Sequence, residues 1–288
     1  MKAELPALSS ALSWARLVLQ QSDLGDADPL VDSKVLLCHC LQQPLVYLHT
    51  WPDRLLSQQQ WQTYQQLIEQ RQQGIPVAHL TKERGFWNLS LAVSDKTLIP
   101  RSDTEVLVEQ ALSLFDASPI EVLDLGTGTG AIALALASER PQWQLTATDF
   151  DAEVVALAQS NANRNHISNI HILQSDWFAG LAGKSFSMIV SNPPYIESDS
   201  PFLQQGDVRF EPLSALVAEQ QGMADLEHII AHAGKYLLDS GWLVLEHGFE
   251  QGQKVRHALQ HHGFAEVTSI RDYAGLERVS FGKLLKKK

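Results

Sequence analysis

The sequence predicts an α/β protein: a doubly wound, mostly parallel seven-stranded sheet preceded by a small helical bundle. From residue 120 onward, short apolar runs alternate with helical stretches, the pattern of parallel strands joined by covering helices. Before residue 75 the apolar positions recur at three and four, the period of a helix. Between these parts the period falls to two, which predicts a β-hairpin linker. The expected boundaries are 1–80 for the helical bundle, 81–102 for the linker and 103–288 for the sheet domain.

In the bundle, Leu8, Leu12, Ala15 and Leu19 form the first amphipathic stripe. Asp28 before Pro29 reads as an N-cap followed by proline at the first helical position, opening a helix through Leu41. Ser57 with Gln60 forms a capping box, and Trp61, Tyr64 and Ile68 form a buried stripe until Gly74 ends the helix. The glutamines between Gln58 and Gln73 mark its solvated side. No catalytic constellation lies here, so the bundle is expected to recognise a substrate.

The linker reads as one strand over Phe86–Val93 and a second over Thr97–Ile99, broken by Pro100-Arg101-Ser102-Asp103. A helix follows from Asp103 through Leu114, with Val106, Leu107, Ala111 and Leu114 inward. Expected strands are 122–125, 145–148, 170–173, 186–190 and 242–245, with a terminal hairpin of 264–270 and 278–284. Expected helices open at Ala131, cover Ala152–Arg164 and cover Asp225–Leu238, and Ser240-Gly241 is expected to turn the chain into the fifth strand.

The 288 residues carry a net charge of −11, most of the deficit lying after residue 80. A duplex-binding protein draws affinity from phosphate neutralisation by a basic footprint. The only basic run is Lys286-Lys287-Lys288, which reads as a solvated tail, so no direct nucleic-acid substrate is expected. No apolar run reaches the roughly 18 residues of a membrane span, and Met1–Ser10 has no secretory apolar region. Cytoplasm, without membrane contact, is the expected location. Cys38 and Cys40 point to different helix faces and predict no disulfide; Cys38-His39-Cys40 has no second cysteine pair, so no metal is expected.

Three features fall at carboxyl ends of successive strands, where open α/β sheets bind ligands. Gly126-Thr127-Gly128-Thr129-Gly130 lets backbone approach a ligand and aims N–H groups at it from a helix start. Asp149 ends the second strand, where a carboxylate can accept both ribose hydroxyls of an adenosine. Asp176-Trp177 ends the third, suited to an adenine amino group and ring face. The fourth strand ends in Ser191-Asn192-Pro193-Pro194-Tyr195, where two residues lacking N–H groups stop the ladder and expose carbonyls beside an amide.

The Asp-Leu-Gly-Thr-Gly-Thr-Gly run from Asp124 to Gly130 resembles the first motif of class I, Rossmann-like, S-adenosylmethionine-dependent methyltransferases. Asn192-Pro193-Pro194-Tyr195 resembles the amino-methyltransferase motif, which separates this reading from a dinucleotide fold. Gly74–Ala78, Phe86–Leu89, Leu98–Glu105, Ser175–Phe178, Asp207–Leu216 and Glu246-His247-Gly248 together resemble the HemK/PrmC family, the peptide chain release factor glutamine-N5 methyltransferases. The departures are His79 where Tyr is expected, Gly85 for Glu, Ser102 for Pro and Ser187 for Asp.

The resemblance implies transfer of a methyl group from S-adenosyl-L-methionine to the side-chain amide nitrogen of the glutamine in the Gly-Gly-Gln motif of bacterial class-1 release factors. It implies that Gly126, Thr127, Gly128, Thr129, Gly130, Asp149, Asp176, Trp177 and Asn192 contact the cofactor. Asn192, Pro193, Pro194 and Tyr195 would hold the glutamine, with Asn192, Pro193 and Tyr195 as the catalytic set and Tyr195 packed on the flat amide. The enzyme is expected to act as a monomer in a transient complex. Alternatives are a ribosomal-protein glutamine methyltransferase with the same turn, a nucleic-acid amino-methyltransferase, which would need a cationic track, and a silent module keeping only the fold.

Overall fold

The computed structural model describes residues 5–25 and 27–286. The expectations for Met1–Glu4 and for Lys287-Lys288 lie outside the described residues. Contacts divide the chain into two compact units: residues up to Glu83 together with Pro201–Phe210, and Arg84–Ser200 together with the chain from Glu211 onward.

The first unit contains helices Leu8–Gln20, Pro29–Leu41, Leu45–Thr50, Gln58–Gln72 and Val77–Thr81. Asp28 Oδ1 accepts from the Leu30 and Val31 amides, and Ser57 and Gln60 close the reciprocal capping box. Leu8, Ala11, Ala15 and Leu19 face the core with Leu36, Leu37, Tyr64 and Ile68. Trp61 is half-buried, edge-on to Trp14 at 4.8 Å between ring centres.

Residues 201–210 belong to this unit because charge and shape hold them there. Arg71 is 1% exposed, and its guanidinium binds Asp32 at 2.7 Å and Asp207 at 2.8 Å. Its Nη1 also donates to the Gly74 and Ile75 carbonyls at 3.2 Å. Gly74 ends the fourth helix at φ +95°, and a Cβ there would lie 2.2 Å from the Arg209 guanidinium. The glycine is therefore needed twice, for its backbone conformation and for the close approach.

A hairpin of β1 (Glu83–Phe86) and β2 (Leu89–Ala92) follows, all but its first residue belonging to the second unit. This corrects the expected pairing of 86–93 with 97–99. The turn falls inside the apolar run, at Trp87-Asn88, with Trp87 at φ +56°. Its amide donates to Glu105 and its indole to Glu139, and these tertiary partners hold a bend that the alternating pattern conceals. Thr97–Ile99 forms no strand.

The seven-stranded sheet consists of β3 (Glu121–Leu125), β4 (Gln144–Asp149), β5 (Ile170–Gln174), β6 (Phe186–Ser191), β7 (Leu237–Glu246), β8 (Phe264–Arg271) and β9 (Glu277–Leu284). Their order is β5-β4-β3-β6-β7-β9-β8, parallel except where β9 meets β7 and β8. Apolar cores cover both faces, as a sheet wrapped on two sides requires. The order reverses between β3 and β6, which opens a crevice at their carboxyl ends.

Helices Glu105–Leu114, Ala131–Glu139, Ala152–Arg164, Ala224–Ala233 and Gly252–His261 accompany the sheet. The helix expected over 225–238 stops at Ala233, because Leu237 already pairs with Phe186 in the sheet. Ser240-Gly241 is a bulge inside β7 rather than a turn before it, with Ser240 at φ +62°. The pairing skips Ser187 there, and a Cβ on Gly241 would lie 3.0 Å from the Ser187 carbonyl. Gly252–His261 has no counterpart in the sequence reading. Val255, Ala258 and Leu259 stand at the three-and-four spacing of a helix and pack on the core, so the signal for this element lies in the sequence itself.

Candidate active site

The site grows from the ends of β3, β4, β5 and β6. Leaving β3, the chain passes Gly126, Gly128 and Gly130 at φ +68°, +56° and +86°. A Cβ on Gly126 would touch the Trp177 ring at 3.7 Å, one on Gly130 would meet Leu134 at 2.9 Å, and one on Gly128 would meet nothing within 4 Å. Gly128 therefore opens onto space while its neighbours pack. The Thr127 amide donates to the Thr148 carbonyl at 2.8 Å, tying the turn to β4. Asn161, fully buried, donates to the Thr129 and Ala92 carbonyls and accepts from the Ala92 amide, pinning the turn to the hairpin.

Asp149 accepts from the Gly128 amide at 3.0 Å and the Asp151 amide at 3.2 Å. Those bonds orient its carboxylate, each oxygen keeping a second lone pair. Burial raises its pKa and the Gly128 amide opposes the rise. After β5, Ser175 Oγ donates to the Trp177 carbonyl and accepts from the Gly180 amide. This bracket presents Trp177, at φ +44°, beside exposed Asp176.

Beside this, β6 ends in the proline turn. Ser191, fully buried, donates to the Leu125 carbonyl at 2.7 Å, joining the β6 and β3 ends. Asn192 Nδ2 donates to Thr104 Oγ1 at 3.3 Å, so the amide oxygen is the end left for a ligand. One cavity of about 500 Å³ takes in both turns. Gly126, Thr127, Gly128, Thr129, Asp149, Asp176, Trp177, Asn192 and Pro194 all line it.

Three sequence-derived site residues stand behind that wall. Gly130 begins helix Ala131–Glu139, and Pro193 is buried beneath the turn. Tyr195 is not among the residues lining the cavity, contrary to expectation: its hydroxyl donates to Glu246 at 3.3 Å and its half-buried ring packs against the core. Its carbonyl accepts from Gln251 Nε2 at 3.0 Å. Gly222, at φ +75°, lies so close that a Cβ would come 2.1 Å from that carbonyl oxygen. Gly222→Ala is therefore expected to displace the turn. Turnover should fall at least about tenfold, the scale of a sub-ångström to 1 Å misplacement, and normal kcat in the variant would refute this.

The cavity also takes in Lys96-Thr97-Leu98, Pro100 and Thr104, and Pro212, Ser214 and Ala215 from the far side of the insertion. Leu98–Glu105 and Asp207–Leu216 stand out in the sequence, but their spacing says nothing of a common pocket. Glu211 shows why they meet: its buried carboxylate binds Arg101 at 2.5 Å, joining the two segments.

Two buried carboxylates underlie the site. Asp124 accepts from Thr127 Oγ1 at 2.6 Å, and burial pushes its pKa up to about 7. Glu246 is likewise pushed up to about 7, chiefly by burial. Such groups hold protons to higher pH when folded, so the stability they confer is present below about pH 4 and lost as pH rises through about 7. Burial lowers the pKa of His247 and acts in the opposite sense. The wild type is therefore compared with Asp124→Asn by urea unfolding. Relative to that variant it is expected to lose stability between pH 4 and 8, and a constant difference would contradict the burial account.

The family model for the methyltransferase small domain matches residues 102–205, and that for the PrmC N-terminal domain matches residues 10–81. The release factor glutamine methyltransferase of Shewanella oneidensis is 49% identical over 281 residues, 98% of this chain and 97% of its own length. That of Escherichia coli is 50% identical over 270 residues, covering 94% and 97%. A methyltransferase structure from Pyrococcus furiosus superposes with a TM-score of 0.53 at 20% identity, covering 69% of this chain and 91% of its own. A T. thermophilus 16S rRNA N2 methyltransferase, solved with AdoMet and guanosine, gives 0.50 at 18% identity, covering 70% and 49%. At these identities the structural likeness concerns the fold.

Proposed function

The chain belongs to the release factor glutamine methyltransferases, and we propose that its Asn192–Tyr195 turn receives the side-chain amide of the glutamine in the Gly-Gly-Gln motif of class-1 peptide chain release factors. The enzyme methylates a release factor glutamine. One observation carries the assignment of the site: the glycine turn and the proline turn share a single cavity at the point where the strand order reverses.

The residues present suit S-adenosyl-L-methionine. Gly128 leaves room for close approach, the Trp177 ring flanks the turn, and Asp149 offers an oriented carboxylate. The Gly126–Thr129 backbone would hold the methionine part, Asp149 the ribose hydroxyls, and Asp176 with Trp177 the adenine. When bound, the cofactor supplies a methyl group already activated as a sulfonium.

What remains for the protein is to position an amide nitrogen whose lone pair is delocalised into its carbonyl. Asn192 Oδ1 accepts an N–H of that amide, orients it, and stabilises positive charge developing on nitrogen, while Pro193, buried and outside the cavity lining, supports the turn from behind. The nitrogen sheds a proton after transfer, so no residue has to act as base beforehand. The protein works as a cytoplasmic monomer that meets the release factor transiently. Among the described residues no helix is long and apolar enough to cross a membrane. A nucleic-acid substrate is disfavoured by the net charge of −11.

Radiolabelled S-adenosylmethionine incubated with purified release factor, its Gly-Gly-Gln glutamine→Ala variant and bulk nucleic acid tests the reading. Label is expected in the wild-type factor alone. Label in the alanine variant or in nucleic acid would overturn it.

A further inference from the structure

Gln251 immediately precedes helix Gly252–His261, is 9% exposed, and donates its backbone amide to the Gly248 carbonyl at 2.9 Å. Its side chain reaches back to the proline turn. Oε1 accepts from the Gly248 amide at 2.8 Å, while Nε2 donates to the Tyr195 carbonyl at 3.0 Å and the Gln221 carbonyl at 3.3 Å. The two ends of this amide are not interchangeable, because one faces an N–H group and the other faces two carbonyls. Two glycines make room for it. A Cβ on Gly222 would lie 2.8 Å from Nε2, and one on Gly248 would lie 3.0 Å from Oε1.

The Gln221 carbonyl belongs to a strained segment. Gln220, Gln221 and Gly222 lie in succession at φ +55°, +58° and +75°, and the first two carry side chains that disfavour this region. Such backbone persists where its surroundings over-determine it, and it gathers at functional sites. Here it brings the chain against the Tyr195 carbonyl and then into helix Ala224–Ala233, whose Asp225 lines the same cavity as Asn192 and Pro194.

We propose that Gln251 is a positioning residue for methyl transfer: its amide clamps the Gln220–Gly222 turn to the Tyr195 carbonyl and so sets where Asn192 stands in the cavity. Pro193 and Pro194 separate Asn192 from Tyr195, and their fixed φ leaves this stretch little freedom to absorb a shift. A displacement at the Tyr195 carbonyl therefore reaches the Asn192 side chain. The groups proposed to hold the cofactor come from the β3, β4 and β5 ends, away from the clamp. Loosening it thus changes the alignment of the accepting amide rather than cofactor affinity, and alignment is where small displacements cost rate.

The inference rests on the proposed role of the Asn192–Tyr195 turn. Its test uses the full chain with S-adenosylmethionine and release factor at about pH 8, where an ordinary glutamate is ionised. Gln251→Met nearly keeps the volume and removes the three side-chain bonds. Gln251→Glu keeps an acceptor for the Gly248 amide but turns a charged oxygen toward two carbonyls. In both, kcat per bound cofactor is expected to fall about 10- to 100-fold, with KM for the release factor and the calorimetric Kd for S-adenosylmethionine within about threefold of wild type. A merely structural role would lower the calorimetric binding stoichiometry and leave kcat per bound cofactor unchanged, and that result overturns the inference. So does a Gln251→Glu variant within about twofold of wild type, which would place the effect in the Gly248 bond alone. A fall in kcat matched by an equal loss of cofactor affinity also overturns it. If Gln251→Glu does not fold, Gln251→Met decides by the remaining criteria. Asn192→Ala run in parallel separates the two levels. Turnover surviving there refutes the role of the turn, whereas an inactive Asn192→Ala beside fully active Gln251 variants refutes only the role of Gln251.

Discussion

Asn192→Ala is expected to lower methyl transfer about 10²- to 10³-fold, the scale on which one preorganised polar partner in an active site contributes. Cofactor affinity should stay within a few-fold of wild type. The separation follows from the geometry. Asn192 reaches the cavity from β6, whereas the glycine turn, Asp149 and Trp177 reach it from β3, β4 and β5. Truncation leaves Thr104 Oγ1 without its donor but disturbs no bond of the glycine turn. Asn192→Asp is the sharper companion: it keeps the acceptor but deprives Thr104 of the NH2 end. Single-turnover rates with calorimetric cofactor titration check both variants. Near-normal turnover in the alanine variant would refute the assignment.

Arg71→Met should be the most destabilising single change in the N-terminal unit, by about 3 kcal/mol, the scale for removing one partner of a buried ion pair. The substitution nearly conserves volume but strands Asp32 and Asp207, whose side chains are 14% and 33% exposed. Asp207 can rehydrate in part, so most of the loss falls on Asp32, whose pKa burial already raises. The Gly74 and Ile75 carbonyls lose a donor as well. Arg71→Lys should recover only part of the loss, because one ammonium cannot span both carboxylates as a guanidinium does. Asp32→Asn in the Met background should recover more. Urea unfolding followed by circular dichroism measures all three, and an unchanged midpoint in Arg71→Met would contradict the triad's role.

Much of the fold is written in local chemistry. Asp28 before Pro29, and Ser57 with Gln60, cap helices through atoms within three residues of each other. The sheet strands are apolar runs bounded by turn residues, and each is found within a residue or two of its expected limits except β7, whose bulge hides its start. The turn at Trp87-Asn88 was illegible for the opposite reason: Glu105 and Glu139, distant in sequence, hold it. Where the competing interaction is tertiary, local pattern points the wrong way.

The sequence by itself determined the class of chemistry, because the glycine turn, Asp149 and the Asn-Pro-Pro-Tyr turn are each short enough to carry their own backbone constraint. Only the tertiary structure decided how these parts are held. The Ser191 bond to the Leu125 carbonyl joins two strand ends, Arg101 and Glu211 draw two remote segments to one cavity, and Glu246 accepts from Tyr195 across two strand ends. Those contacts span from 51 to 110 residues of chain. Their partners are fixed by strand order and register, which local residue chemistry does not encode.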